Sequence, residues 1–155
     1  MCSCGLAVLA TVGAPGDAGP VEVRQSDIAA VPAENVHVPI KEFAAVWAAA
    51  EAAAAADWRA VGVAETCRWL AGATVRRTAQ PWHPAPAPAS LRTARRATPE
   101  LIEQECLEAE VLSAQTGPAK WLDDSPSRLE GVCATFAWAW RRTASAPLAI
   151  DNPLP

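Results

Sequence analysis

The chain has 155 residues, enough for one domain, and about 100 of them remain for a core once its Pro- and Gly-rich segments are set aside. A core of that size needs no metal or disulfide to hold it together. The net charge of −4 argues against DNA as the main partner, because a nucleic-acid-binding domain is usually basic.

The composition predicts a mostly α fold. Alanine and arginine are abundant, tyrosine is absent and β-branched residues are few, which is typical of helical chains and, more weakly, of GC-rich bacterial genomes. Alanine buries little area, but seven tryptophans compensate, since one fully buried Trp contributes on the order of 5 kcal/mol before the entropy cost. We therefore expect a small alanine- and tryptophan-rich bundle of about four helices, with an irregular N-terminal tail and a Pro-rich linker.

Residues 1–35 are punctuated by glycine and proline and are predicted to be a flexible or wrapping segment, with a short strand at Val21–Arg24. Cys2 and Cys4 lie close enough to bind a soft metal or to oxidise, but a lone C-x-C lacks the second ligand pair of a zinc site, so no metal site is predicted. The apolar run at residues 5–14 is too short to span a bilayer and follows no basic residue. Together with an odd number of cysteines, these features predict a cytoplasmic protein without a transmembrane segment.

A helical domain is predicted over residues 36–143. Its first helix begins near Pro39 or Lys41. A break is expected between Asp57 and Gly62, because aspartate can cap a following helix and glycine weakens a helix interior by about 1 kcal/mol relative to alanine. The face predicted to be buried consists of Phe43, Val46, Trp47, Ala50 and Ala54.

The second helix is predicted at about residues 60–71. Its apolar period places Val63, Cys67 and Leu70 on the buried side. Gly72 follows, and glycine commonly ends a helix by adopting the left-handed conformation.

Residues 63–77, VAETCRWLAGATVRR, resemble the helix-turn-helix of small bacterial regulators, which often combine alanine-x-x-x-leucine, a glycine and then threonine-valine-arginine-arginine. The resemblance implies DNA binding through the second of two helices. The sequence departs from that pattern because about two residues are missing between Gly72 and Thr74, which leaves no room for a normal turn and recognition helix.

Residues 73–97 are predicted to be a Pro-rich, basic linker that interrupts the helical domain. The run PWHPAPAPAS forbids a helix and favours polyproline II, so the segment is a semi-rigid spacer or an exposed recognition strip. Its candidate phosphate-binding residues are Arg76, Arg77, Arg92, Arg95 and Arg96. The glutamate-rich residues 98–124 offer carboxylates that would neutralise these arginines within the molecule.

The clearest helix prediction runs from Pro99 to about Ala114, with Thr98 as its N-cap. A last helix is predicted from Pro126 to Arg142, followed by a tail at residues 144–155. The apolar face of this last helix consists of Leu129, Val132, Cys133, Phe136 and Trp140.

No catalytic residue, cofactor or metal ligand set is predicted. The glutamate-rich helix has no histidine, and His37 and His83 lie near prolines. Glu103 and Glu110 share a helix face and are candidates for an acid–base pair, but a solvated helix surface is the simpler interpretation. Cysteines in apolar surroundings have raised pKa values and are inert, and no phosphate-binding glycine motif occurs. The residues thus favour a non-enzymatic protein and leave enzyme activity open.

Recognition by a surface remains, and the candidate partner-binding residues are Trp82, Trp121, Trp138 and Trp140. Trp138 and Trp140 are about 200° apart on the last helix, so one of them is hard to bury. We therefore predict a small helical adaptor or regulatory protein that binds another protein, or itself as a homodimer. The alternative is a nucleic-acid-associated regulator that uses residues 76–96.

Overall fold

The computed structural model describes residues 22–76, 81–92, 96–115 and 126–150. Within these residues the chain forms α1 Gln25–Ala29, α2 Ile40–Ala53, α3 Trp58–Leu70, β1 Thr74–Val75, β2 His83–Pro84, α4 Pro99–Ala114 and α5 Pro126–Thr135, which continues as a π-helix, Phe136–Trp140. The prediction of a mostly α bundle is therefore confirmed. None of the helices in the described ranges is long and apolar enough to cross a membrane.

The helix ends follow the capping residues of the sequence. The predicted break is present, because α3 starts after Asp57, whose side chain accepts the Arg59 backbone N–H at 2.9 Å. Gly72 follows α3 with a φ of 67°, the left-handed conformation predicted for it. Thr98 caps α4 by accepting the Leu101 N–H at 3.5 Å. Local chemistry thus sets the start of α3, the end of α3 and the start of α4.

The predicted buried faces of the first two long helices are confirmed. On α2, the side chains of Phe43, Val46, Trp47 and Ala50 are buried, and Ala54 just beyond its end is half-buried. On α3, the side chains of Val63, Cys67 and Leu70 are buried. Ile102 from α4 and Val132 from α5 complete the centre of the core.

Two glycines let α3 and α5 cross at backbone distance. A Cβ placed on Gly62 would lie 2.0 Å from the carbonyl oxygen of Arg128, and one on Gly131 would lie 2.2 Å from that of Arg59. Both distances are far below van der Waals contact, so neither position has room for a side chain. Gly62 lies inside α3 and not at the helix break, which corrects that part of the prediction.

The last helix departs from the predicted period. Beyond α5 the chain widens into a π turn, in which the Arg141 N–H donates to the Phe136 carbonyl oxygen at 3.0 Å. This i to i+5 bond adds a residue to the turn and shifts the buried face. Trp138 is buried and Trp140 is half-buried, whereas a continuous α period puts Trp140 on the buried side.

The described part of the predicted N-terminal segment, residues 22–35, contains a short helix, α1. Residues 22–24 form no strand, so the strand predicted at Val21–Arg24 is wrong there. Cys2 and Cys4 lie outside the described residues.

Residues just before α2 tie three parts of the fold together. The Asn35 side-chain amide is buried and donates to the carbonyl oxygens of Leu70 at 3.0 Å and Ala97 at 3.1 Å. The His37 backbone N–H donates to the Ala139 carbonyl oxygen at 2.8 Å. The segment therefore joins the end of α3, the start of α4 and the π turn.

The C-terminal segment follows the π turn without further helix or strand over residues 141–150. Ala146, Leu148 and Ile150 are partly buried against the core. The predicted tail, residues 144–155, is described as far as residue 150, and that described part lies on the domain.

Candidate interaction surface

The structure separates the predicted partner-binding tryptophans. Trp82 lies just before β2 and is 65% exposed. Trp138 is buried and Trp140 is half-buried, while Trp121 lies outside the described residues. Of the three that are described, only Trp82 presents most of its side chain to solvent.

The proline strip, which we define as residues 81–92, is attached to the domain by a short sheet. β1 and β2 are antiparallel, with Val75 opposite His83. Immediately beyond the pair, the Ala85 N–H donates to the Ala73 carbonyl oxygen at 2.9 Å. The sequence interpretation of a spacer misses this sheet because proline is disfavoured in strands.

Glu105 of α4 fastens the turn of the proline strip. Its carboxylate accepts the backbone N–H groups of Ala89 at 2.9 Å and Ser90 at 3.0 Å, and also the Ser90 hydroxyl. Hydrogen bonds to an ionised acceptor are about twice as strong as neutral ones. Arg128 of α5 adds a bond to the Pro88 carbonyl oxygen at 3.0 Å. Sequence reasoning missed Glu105, because nothing in a run of glutamates marks the one that faces a loop.

The end of the strip holds a leucine outward in a strained conformation. Leu91 has a φ of 58° and is 53% exposed. Its N–H donates to the Ala87 carbonyl oxygen, and the Ala87 N–H donates to that of Arg92, both at 2.9 Å. The left-handed conformation costs a non-glycine residue on the order of 1–2 kcal/mol, so these bonds are needed to keep it.

Trp138 is engaged inside the protein. Its ring stacks on Phe43 with centroids 6.2 Å apart, and its indole N–H donates to Glu42 at 3.3 Å. The first turn of α2 therefore covers this tryptophan. Burial leaves it unavailable to a partner in this conformation.

Trp140 is held on the surface of the π turn by three contacts. It stacks on the His37 ring with centroids 4.4 Å apart, and its indole N–H donates to Glu103 at 2.9 Å. His37 Nδ1 lies 2.6 Å from the Trp140 carbonyl oxygen. A carbonyl oxygen only accepts, so Nδ1 carries the hydrogen and donates it.

Arg141 joins the two carboxylates that the sequence suggests as an acid–base pair. Its guanidinium contacts Glu103 at 2.9 Å and Glu110 at 2.5 Å. The indole of Trp140 and then the guanidinium of Arg141 hold the pKa of Glu103 below its ordinary value. Glu103 therefore stays ionised, and the geometry suits a surface ion-pair cluster better than proton transfer.

A cavity of about 80 Å³ lies beside this cluster and is lined in part by Cys106 and Cys133. Burial raises the pKa of Cys106 to about 12 and also raises the pKa values of Cys133 and Cys67. Thiols in this state carry little thiolate at neutral pH and are poor nucleophiles. Within the described ranges no group of three or more histidine, cysteine or acidic side chains is placed to hold a metal ion.

Of the five predicted phosphate-binding arginines, three lie within the described residues. Arg76, Arg92 and Arg96 are exposed, and Arg77 and Arg95 lie outside the described residues. Among the carboxylates of α4, Glu103 and Glu110 bind Arg141, Glu103 also accepts the indole N–H of Trp140, and Glu105 binds the turn of the proline strip. Among the described residues, neither Arg92 nor Arg96 forms an ion pair.

Comparison with protein-family models, with curated proteins and with solved structures finds no match for this chain. The resemblance of residues 63–77 to a helix-turn-helix also stops short in the structure. β1 begins at Thr74, where that motif would continue toward its second helix. The surface geometry therefore has to carry the functional argument alone.

Proposed function

We propose that the chain is a small, non-enzymatic helical adaptor or regulatory protein of the cytoplasm that binds another protein through the proline strip. The observation that carries the proposal is the 65% exposure of Trp82 on a segment that is fastened to the domain. Trp is among the residues most enriched in interface hot spots. Covering the exposed part of this ring would bury on the order of 150 Å², or about 4 kcal/mol before the costs of association.

The attachment of the strip supports the proposal because it lowers one of those costs. The sheet with β1 holds one end, and Glu105 and Arg128 hold the turn at Ser90 and Pro88. A segment that is already ordered loses less conformational entropy when it binds than a mobile tail does. Trp82 is therefore available as a pre-organised contact.

The chemistry of the remaining polar groups supports a non-enzymatic role. The thiols beside the cavity have raised pKa values, and Glu103 and Glu110 share the guanidinium of Arg141. A carboxylate that acts as a general base must be free to take up a proton near neutral pH. The lowered pKa of Glu103 opposes that requirement.

The test is affinity capture with the tagged full chain from a lysate of its native cell, split into nuclease-treated and untreated halves. We compare the wild type with Trp82→Ala and with the control Ile40→Ala, which shortens another exposed apolar side chain, 42% exposed. We expect a stoichiometric partner protein whose capture survives nuclease treatment and is unchanged with the Ile40→Ala control. The amount captured should fall at least tenfold with Trp82→Ala, as for truncation of a hot-spot residue. Equal recovery with all three chains would contradict the proposal.

The partner bound by the proline strip could instead be a second copy of the chain, as in a homodimer. Sedimentation velocity of the purified wild type and of Trp82→Ala separates the two cases. A dimer that dissociates in the variant identifies a homodimer through the strip. A monomer in both, with loss of the captured protein, identifies a different partner.

The alternative function, a nucleic-acid-associated regulator, is favoured by one observation. Arg92 and Arg96 are exposed and form no ion pair with a described residue, so both are available to phosphates. Removing one phosphate-binding arginine should lower the salt slope of nucleic-acid binding by about 0.9 on a double-logarithmic plot. A steep slope that falls by about 3 when Arg92, Arg95 and Arg96 are all changed to alanine would favour this alternative.

A further inference from the structure

The outer side of α4 carries an apolar stripe that nothing in the described structure covers. Leu107 and Val111 are 52% and 56% exposed, and they lie one turn apart. The exposed Ala114 continues the same line. The core-facing side of the helix, with Ile102 and Ala109, lies roughly opposite. α4 thus has two apolar sides, of which the core uses one.

Carboxylates border this stripe on both sides. Glu103 and Glu110 lie along one edge, Glu108 lies along the other, and Glu100 is at the N-terminal end. Arg141 neutralises one unit of charge and also fixes Glu103 and Glu110 in place. Four carboxylates against this one guanidinium leave a formal charge of −3 around an apolar centre.

We propose that this face of α4 docks an amphipathic helix of a partner protein, in which lysine or arginine borders the apolar stripe. Exposed apolar residues one turn apart match the anchor spacing of a helix packed along a helix. The acidic border favours a basic partner and disfavours a second copy of this chain, whose own α4 would bring like charges together. The surface is separate from the proline strip, so this proposal goes beyond the function proposed above.

The test uses a labelled synthetic peptide of about 18 residues, long enough to form a helix, with leucines at i, i+4 and i+7 and lysines along both borders. A second peptide keeps the leucines and replaces each lysine with glutamate. Fluorescence anisotropy measures the binding of both to the full chain. We expect the lysine peptide to bind at least tenfold more tightly than the glutamate peptide, with an affinity that falls as salt rises.

Two variants of the chain test the two parts of the surface. The double change Leu107→Ala with Val111→Ala should weaken the binding of the lysine peptide at least tenfold, since it removes the apolar contact. Glu108→Lys should weaken the binding of the lysine peptide several-fold and reduce the salt dependence of that binding. This variant keeps the test decisive if the double variant folds poorly. The control Glu34→Lys reverses an exposed carboxylate outside α4 and should leave binding unchanged.

Three outcomes would overturn the proposal. They are failure of the lysine peptide to bind, equal binding of both peptides, and a self-association in sedimentation that the double variant abolishes. The last would make a second copy the occupant. Trp82→Ala separates this test from that of the proline strip, because it should not change the binding of either peptide.

Discussion

The crossing of α3 with α5 and the proline strip are held in opposite ways. At the crossing, Gly62 and Gly131 bring two backbones into direct contact, and there is no space for even one added carbon. In the strip, a short sheet, the carboxylate of Glu105 and the burial of Ala85 and Ala87 fasten the chain to the domain. Trp82 and Leu91 of the same strip point outward. The crossing depends on the absence of side chains at two glycines, whereas the strip depends on backbone and carboxylate hydrogen bonds and on a few small buried residues. Changes at the crossing should therefore destabilise the whole domain strongly, whereas changes in the strip should have a smaller global effect and act mainly on the surface.

The largest effect is expected for Gly62→Ala. The new methyl group would lie 2.0 Å from the Arg128 carbonyl oxygen, and backbone cannot move aside as a flexible side chain can. We expect the free energy of unfolding to fall by at least about 3 kcal/mol. Urea denaturation followed by circular dichroism measures the loss.

Gly72→Ala is the matched control for that substitution. A Cβ at Gly72 would meet no atom within 4 Å, but the φ of 67° is unfavourable for alanine. The expected loss is about 1 kcal/mol, from conformational strain alone. If Gly62→Ala destabilised the protein no more than this control, the close crossing would be refuted.

The next effect concerns a buried ion pair between α2 and α3. Glu51 is 4% exposed, accepts the Trp47 indole N–H at 2.9 Å and binds the Arg68 guanidinium through two nitrogens, the closer at 2.5 Å. Glu51→Ala leaves Arg68 without its partner in a largely buried place. We expect a loss of about 3 kcal/mol in urea denaturation.

An exposed ion pair provides the comparison for Glu51. Glu130 is 61% exposed and lies 3.4 Å from Arg59. Glu130→Ala should change the free energy of unfolding by less than about 0.5 kcal/mol, because solvent screens the pair. Similar losses for both variants would mean that burial of the first pair contributes little.

A smaller global effect is expected for Glu105→Gln, together with a clear local one. The amide side chain keeps an acceptor oxygen but loses the charge that strengthens the bonds to Ala89 and Ser90. We expect a loss of about 1–2 kcal/mol in overall stability. Hydrogen exchange at the two backbone amides should become at least tenfold faster.

Glu108→Gln is the control for the strip, since it is an exposed position on the same helix. It should leave exchange at Ala89 and Ser90 as it is in the wild type. Unchanged exchange in Glu105→Gln would show that the sheet with β1 alone holds the strip.

The contrast also explains which features the sequence could predict. Asp57, Gly72 and Thr98 act on residues within one turn, so their helix ends follow from local chemistry. The contact of Glu105 with Ser90 and the approach of Gly62 to the Arg128 carbonyl oxygen join residues far apart in the chain. No local pattern distinguishes such residues from other glutamates and glycines. The exposed Leu107 and Val111 are recognisable as apolar residues off the buried stripe of α4, although that signal alone does not identify a partner.

The π turn supplies the finest test, because it buries Trp138 and leaves Trp140 half-buried, the reverse of what a continuous α period predicts. Trp140 donates to Glu103, whereas Trp138 donates to Glu42, so only Trp140→Phe should raise the pKa of Glu103 toward its ordinary value of 4.5. A group with a lowered pKa in the folded state adds stability above its unfolded pKa and loses it as the pH falls through the folded value. In the wild type this contribution should therefore begin to decrease near pH 4.5 and be lost only once the pH is below the lower pKa of the folded state. After solvent screening it amounts to a few tenths of a kcal/mol, roughly.

An NMR titration of the Glu103 carboxyl in the wild type, Trp140→Phe and Trp138→Phe measures the shift directly. A rise in Trp140→Phe alone would support the divided placement. An equal rise of the Glu103 pKa in both variants would mean that both indoles lie beside Glu103 and would contradict this placement. Residues two apart on a continuous α-helix lie about 200° apart and would not share one environment either. Because Arg141 still contacts Glu103 in either variant, the pKa should remain somewhat below 4.5 even without the indole.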